Sequence, residues 1–326
     1  MASFDLKEAG LLLANKLEEQ RFGEAPETLY EPLRYILKIG GKRLRPALTL
    51  LGSYLFDDDF KKALSPAMGV EIFHNFTLMH DDIMDEAPLR RGQVTVHEKW
   101  NPNVAILSGD VMLVKAYEYI MQVDDKILRQ AINLFNKCAA EVCEGQQFDM
   151  DFEERDTVGE EEYVEMIRLK TAVLIGFALR LGALIGGASD EQSLVVEEFG
   201  VNVGLGFQLK DDILDVYADP EKFGKQVGGD IISNKKTLML INALQQAQGD
   251  DAKELNAWIE ATDFDKSEKV KAVTDIYNRL GIKELATAKS NEYFDKGFAA
   301  LDRLDVPEEK KQLLREFGVY LLNRDH

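Results

Sequence analysis

Two copies of one acidic pattern mark where this 326-residue chain could do chemistry: Asp81-Asp82-Ile83-Met84-Asp85 and Asp211-Asp212-Ile213-Leu214-Asp215. Each lies in an apolar stretch with helical spacing, and burying three carboxylates without a counter-charge is prohibitively costly. A cation is therefore required. On a helix the first and fifth residues of each pattern share a face, with the second Asp about 100° round. Two such faces opposed across a cavity would form an all-oxygen cage, which suits Mg²⁺ carrying substrate phosphates. A single DDxxD is as readily a solvated helix face in a chain with 58 acidic residues. The second copy, 130 residues on, lies in similar surroundings, FQLKDDILDVY against FTLMHDDIMDEA. Neither alternates Asp and Gly as a calcium-binding loop does.

Cations accompany both copies: Arg90 and Arg91 follow the first, and Lys225, Lys235 and Lys236 the second. A third basic cluster, Gly40-Gly41-Lys42-Arg43-Leu44-Arg45-Pro46, has glycines that permit a turn and a proline that can open a helix. Alone it reads as a solvated loop. Beside two Mg²⁺-type clusters it becomes a diphosphate clamp, with Arg able to make bidentate contacts. Helical geometry puts His74 and Thr77 on the face of Asp81 and Asp85, whereas His80, about 100° away, reads as a packing or capping residue. Gly204, Phe207 and Gln208 bear the same relation to Asp211, a polar amide beside an aromatic wall. That face suits a substrate with a charged head and an apolar body. Lys170-Thr171 opens an apolar helix, where the Lys is either snorkelling at the surface or a cation at a tunnel mouth.

The elements that must position these residues are helices. None of the eight prolines falls between Pro102 and Pro220, so that long region can run nearly uninterrupted as helix. Asp125–Glu144, Tyr163–Gly182 and Lys235–Ala247 place apolar residues three and four apart. An all-α fold is expected, organised as one domain over 1–326, because no linker, low-complexity segment or repeat interrupts the chain. The formal charge of −19 argues against a nucleic-acid binder. Cys138 and Cys143 are expected to be small buried hydrophobes, which implies a reducing, cytoplasmic setting. MASFDLKEAG lacks the basic region and apolar core of a secretory signal. Thr171–Ala188, crossed by Arg180 and rich in Gly and Ala, reads as a close-packed core helix, not a membrane span.

Taken in order, GGKRLRP, HNFTLMHDDIMD, LRRG, LKT, GFQLKDDILD, FGK and GGD…KKT resemble the trans-isoprenyl diphosphate synthases of the polyprenyl synthetase family. The resemblance runs from Gly40 to about Thr237, and the last ninety or so residues read as packing helices. It implies a homodimer of α-helical subunits, each with a central cavity, that condenses isopentenyl diphosphate with allylic diphosphates. It also implies three Mg²⁺ per site, held by Asp81, Asp82, Asp85, Asp211, Asp212 and Asp215, with Asp81, Asp85 and Asp211 foremost. Arg90, Lys170, Lys225 and Lys235 would hold the allylic diphosphate, and Lys42, Arg45, His74 and Arg91 isopentenyl diphosphate. Thr171 and Gln208 lie where the family stabilises the allylic cation, and Phe207 would wall it from water.

Product length is expected from the residues before the first motif. Phe76 lies five positions ahead of Asp81, roughly 7.5 Å along the helix. A growing tail would pass the small Thr77 before meeting that ring, with Phe73 a turn deeper. In the family one ring at the fifth position, with an uninserted motif, goes with C20. Geranylgeranyl diphosphate is therefore expected as the main product and farnesyl diphosphate as the runner-up. Two rivals are a class I terpene cyclase, which would not keep a full second DDxxD or need the Lys42 and Arg45 clamp, and a non-catalytic subunit of a heteromeric synthase, in which an Asp motif should have decayed.

Overall fold

The computed structural model describes residues 4–218 and 227–324; Lys225 and the FGK motif lie outside the described residues. The helices are α1 Leu6–Glu18, α2 Glu27–Ile39, α3 Leu44–Phe56, α4 Leu64–Met84, α5 Val96–Lys99, α6 Pro102–Ile120, α7 Asp125–Glu154, α8 Glu160–Ile167, α9 Val173–Ile185 and α10 Asp190–Tyr217, then α11 Gly229–Ile232, α12 Leu238–Gln246, α13 Gly249–Glu260, α14 Lys266–Arg279, α15 Ile282–Asp302 and α16 Glu308–Leu322. Among the described residues the only strands are β1 Leu89–Arg90 and β2 Gln93–Val94, one antiparallel hairpin. The all-α expectation holds. The chain forms two compact units, the first of residues 1–138, 175–197 and 304–311, the second of 139–174, 198–303 and 312–326.

In the first unit α4 packs along α6 and against α3. Its core is Leu48, Leu50 and Leu51 from α3, Val70 and Phe73 from α4, Met112 from α6, and Leu179 and Ala183 from α9. The apolar stretch expected as a close-packed core helix is that: a Cβ on Gly182 would stand 2.0 Å from the Thr49 carbonyl oxygen, and one on Gly186 2.4 Å from that of Ser53. Glycine lets these backbones touch, and any side chain would force them apart.

The second unit gathers its core on one face of α10, where Leu205, Leu209, Ile213 and Val216 recur at helical spacing. Tyr163 and Ile167 from α8 and Ile276 and Tyr277 from α14 join them. That face leaves Gln208, Asp211 and Asp215 on another side of α10, only partly buried. Two expected helices are modified. Tyr163–Gly182 is interrupted by a π-turn at Arg168–Ala172, and the helix expected from Lys235 begins at Leu238. Asn234, in a left-handed conformation at φ 55°, ends α11 and leaves Lys235 and Lys236 in a loop. Cys138 is buried as expected but Cys143 is exposed. Five residues turn a helix by about 140°, so the two thiols cannot share one buried face.

Candidate active site

In the first unit the aspartate motif is the end of α4. Asp85 is the C-cap, and the chain stops in a Schellman arrangement: the Ala87 N–H donates to the Asp82 carbonyl (3.0 Å) and the Glu86 N–H to that of Ile83 (3.3 Å). Glu86 takes the left-handed conformation (φ 49°) that glycine usually supplies. The chain then enters the hairpin, whose two turn residues, Arg91 (φ 53°) and Gly92 (φ 74°), match a type I′ turn. This returns Arg90 to the helix end, where its Nε donates to both oxygens of the buried Asp82 (2.8 and 2.9 Å) and its Nη2 stands 3.6 Å from Asp81.

The GGKRLRP loop supplies more cations to this unit. Arg43 turns inward to a buried ion pair with Glu71 and to the Leu37 carbonyl, so it is structural. Arg45 Nη1 donates to His74 Nε2 at 3.1 Å, and its own Nε is buried without a protein partner. A ring nitrogen that accepts from a guanidinium must be unprotonated. Burial, then Arg45, Arg91 and Arg90, hold the His74 imidazole well below its ordinary range. Arg91 lies over Gly41, where a Cβ would fall 2.5 Å from its Nη1. Lys42 is exposed on the same loop. Arg45, His74 and Arg91 are thus brought together into a cationic patch fit for an anion.

The residues expected to set product length also lie here. Phe73 is fully buried, edge-on to Phe135 (5.1 Å between centroids) and 5.7 Å from Phe76. Phe135 meets Phe177 in turn at 5.7 Å, so Phe76 tops a continuous stack of rings. The Thr77 hydroxyl donates to the His74 carbonyl (2.8 Å). His80 packs on Phe76 (4.7 Å) and against Gly109, in the packing role expected of it.

The second unit solves the same problem with different groups. Tyr163 donates its hydroxyl to the buried Asp212, and Gln208 Nε2 donates to it at 3.3 Å. Burial, followed by the charge of Asp230, pushes the Asp212 carboxyl up to about 8 against the pull of Tyr163, Lys235 and Gln208. Asp215 Oδ2 accepts from the Asp230 N–H (2.9 Å) and so ties α10 to α11. Asp211 accepts from Arg324 Nη1 (2.8 Å), and that guanidinium also lies 5.4 Å from the centre of the Phe207 ring. Thr171 Oγ1 lies 3.4 Å from Gln208 Oε1. Lys170 and Lys235 meet at Asp149, at 2.6 and 3.7 Å, whereas Lys236 turns to the Glu153 carbonyl (3.1 Å).

Asp149, Tyr163 and Arg324 carry no signal in the sequence, whereas Asp230 falls in the GGD…KKT motif without a role assigned to it. Asp149 sits in FDMDFEE and Tyr163 in EEEYVEM, where one more acid or ring carries no signal. Arg324 corrects the view of the last ninety residues as packing alone: α16 carries it back to Asp211.

The donors present are the right kind for Mg²⁺: hard carboxylate oxygens, several already drawing on guanidinium or phenol groups for compensation. Among the described residues no three His, Cys, Asp or Glu side chains stand close enough to hold an ion by themselves. Any Mg²⁺ bound to these residues would complete its shell with phosphate and water. Among the described residues no helix is long and apolar enough to cross a membrane.

The polyprenyl synthetase family model matches residues 26–277. A geranylgeranyl diphosphate synthase of Methanosarcina mazei is 40% identical over 304 residues, 92% of this chain and 91% of that one. A geranylfarnesyl diphosphate synthase of Natronomonas pharaonis is 35% identical, over 95% and 94% of the two chains. A crystal structure of a geranylgeranyl pyrophosphate synthase superposes with a TM-score of 0.94 at 41% identity, covering 99% of this chain and 100% of the other. Fold and relatives together define an all-α prenyltransferase, an isoprenyl diphosphate synthase. The chain belongs to the polyprenyl synthetase family.

Proposed function

We propose that this chain condenses isopentenyl diphosphate with allylic diphosphates of C5 to C15 and makes chiefly geranylgeranyl diphosphate, with farnesyl diphosphate the lesser product. The observation that carries this reading is that each unit holding an intact aspartate motif also holds its own anion-binding set: Arg45, His74 and Arg91 in the first, Lys170 and Lys235 in the second. Two diphosphates need two such sets. A class I cyclase has one diphosphate to hold, and a non-catalytic subunit none.

In this reading Asp81, Asp85 and Asp211, backed by Asp82, Asp212 and Asp215, hold Mg²⁺, three ions per site by family resemblance. When bound, Mg²⁺ would neutralise charge on the allylic diphosphate and favour its departure. Arg90, Lys170, Lys225 and Lys235 bind that diphosphate and stabilise the negative charge that grows as the C–O bond breaks. The Thr171 hydroxyl and Gln208 amide turn their oxygens to the cation left behind, and Phe207 shields it from water. Lys42, Arg45, His74 and Arg91 hold isopentenyl diphosphate so that its double bond attacks that carbon. The proton lost afterwards passes to an oxygen of the released diphosphate, a role that family resemblance implies.

Product length follows from Phe76, the top of the ring stack, with only a threonine before it. We read 1–326 as one polyprenyl synthetase domain, a unit of a homodimer; the exposed Ile106, Leu107 and Val114 of α6 offer an apolar face for a second copy. The test is an incubation of radiolabelled isopentenyl diphosphate and Mg²⁺ with each allylic starter, followed by chain-length analysis. C20 should dominate with every starter. A cyclic hydrocarbon, or no product at all, would overturn the reading; C25 as the main product would overturn the role of Phe76.

A further inference from the structure

Asp149 belongs to neither aspartate motif, yet two of the lysines assigned to the allylic diphosphate converge on it. We propose that Asp149 is a positioning residue: its carboxylate gathers the ammonium groups of Lys170 and Lys235 to one point and holds them ready for a diphosphate. The proposal rests on the reading that these two lysines bind that group.

Both ammonium groups address the same oxygen, Asp149 Oδ2, Lys170 at 2.6 Å and Lys235 at 3.7 Å. They come from separate elements, Lys170 from the π-turn Arg168–Ala172 and Lys235 from the loop after α11, while Asp149 comes from α7. Two like charges on long flexible stems would otherwise spread apart and sample many rotamers. The burial gradient runs the right way. The Asp149 side chain is 14% exposed and those of Lys170 and Lys235 25% and 43%, so the carboxylate anchors from within and the cations reach outward. Burial by itself would raise the Asp149 carboxyl, but the Lys235 and Lys170 charges outweigh it and keep the group ionised.

The stripe of α7 on which Asp149 lies is built for this. One turn earlier is Gly145, where a Cβ would fall 2.2 Å from the Lys170 backbone nitrogen. The α7 and π-turn backbones therefore touch, which fixes the base of Lys170. One turn later the Glu153 carbonyl accepts from Lys236 and turns that neighbouring cation aside. Positions 145, 149 and 153 thus set one backbone, two ammonium groups and one excluded lysine along a single helix face. Asp149, Lys235 and Lys236 also line a cavity of about 190 Å³ with Phe152, Glu153, Ser233 and Asn234.

Positioning and simple charge balance make opposite predictions. Asp149→Asn removes a negative charge beside an anion site, so a mere counterweight would leave binding of inorganic pyrophosphate with Mg²⁺ unchanged or tighter. A positioning residue would weaken it, by about fivefold or more in calorimetric titration of the full-length protein. The KM for the allylic substrate should rise with it, while that for isopentenyl diphosphate stays within about twofold. Unchanged or tighter pyrophosphate binding overturns the proposal, as does an equal rise in both KM values. Should Asp149→Asn fail to fold by circular dichroism, Asp149→Glu carries the test: the charge stays but the gathering point moves, so binding should weaken again, and unchanged binding overturns the proposal. Lys170→Ala and Lys235→Ala belong in the same titration. If neither weakens binding, the diphosphate reading itself fails; if both do and the Asp149 variants do not, the positioning role alone fails.

Discussion

Asp82 and Asp212 hold the same place in their motifs and both are buried, yet Asp82 is met by the Arg90 guanidinium at 2.7 Å whereas Asp212 is met by a phenol and an amide and feels the charge of Asp230. The surroundings differ in the same sense. In the first unit burial, reinforced by the surrounding arginines, depresses the His74 imidazole; in the second, burial and a second carboxylate push Asp212 up. Near-identical pentapeptides thus sit in different electrostatic settings: a guanidinium pairs with Asp82 directly, whereas Asp212 is met by neutral donors and feels Lys235 only as a more distant charge. A sequence motif specifies donors, not the charge state in which the fold holds them. The first setting is prepared for an anion, and the second still needs a cation.

Both motifs should nevertheless be indispensable. Asp81→Ala and Asp211→Ala are each expected to lower turnover by about a thousandfold, with helicity by circular dichroism unchanged. Near-normal activity from either variant would break the comparison by showing that one setting is vestigial.

Product length should respond to the first unit's ring stack. Phe76→Ala opens the floor and shifts the main product to C25 or longer, and Thr77→Phe shortens it to C15, both read by chromatography of the dephosphorylated products. An unchanged distribution for Phe76→Ala would place the floor on another helix.

The two settings predict opposite pH responses of the metal-free protein. Between the ordinary Asp value near 4 and the folded value of about 8, the folded state holds a proton on Asp212 that the unfolded state has lost, so this group's contribution to stability falls as pH rises through that window. Asp212→Asn should remove that loss and raise the melting midpoint at pH 8 by roughly a few degrees. His74 behaves in reverse. Its depressed folded value means that the unfolded state binds more protons below about pH 6.5, and stability is lost as pH falls through that value. His74→Gln should flatten the acid side only. Melting curves from pH 5 to 9 in chelator check both, and matching responses of the two variants would erase the contrast.

The smallest expected effect concerns Arg324, the guanidinium that now occupies Asp211. As a partly solvated ion pair it competes weakly with a metal. Arg324→Ala should lower the Mg²⁺ concentration for half-maximal pyrophosphate binding by about two- to threefold. A higher requirement would instead make Arg324 part of the anion grip.

Much of this arrangement was legible in the sequence because it depends on helical period: α4 and α10 present His74, Thr77 and Asp81, and Phe207, Gln208 and Asp211, on the faces that spacing assigns. The rest was hidden for separate physical reasons. Glu86 and Asn234 end their helices in a left-handed conformation that glycine would have announced. The π-turn at Lys170 and Thr171 adds one residue to a turn without disturbing an apolar pattern that was already nearly continuous. Asp149, Tyr163 and Arg324 act through partners 21 to 113 residues away, a pairing that only the fold creates. Cys143 was misplaced because a small apolar residue on a helix was assumed to face inward, and an angle of about 140° from Cys138 forbids it.

The claim on which the rest depends is that the two cation sets serve different diphosphates, and crossed steady-state kinetics test it most directly. Arg45→Ala should raise the KM for isopentenyl diphosphate by about tenfold or more and leave that for the allylic diphosphate within about twofold, and Lys170→Ala should do the reverse. Equal effects of both variants on both substrates would contradict the account.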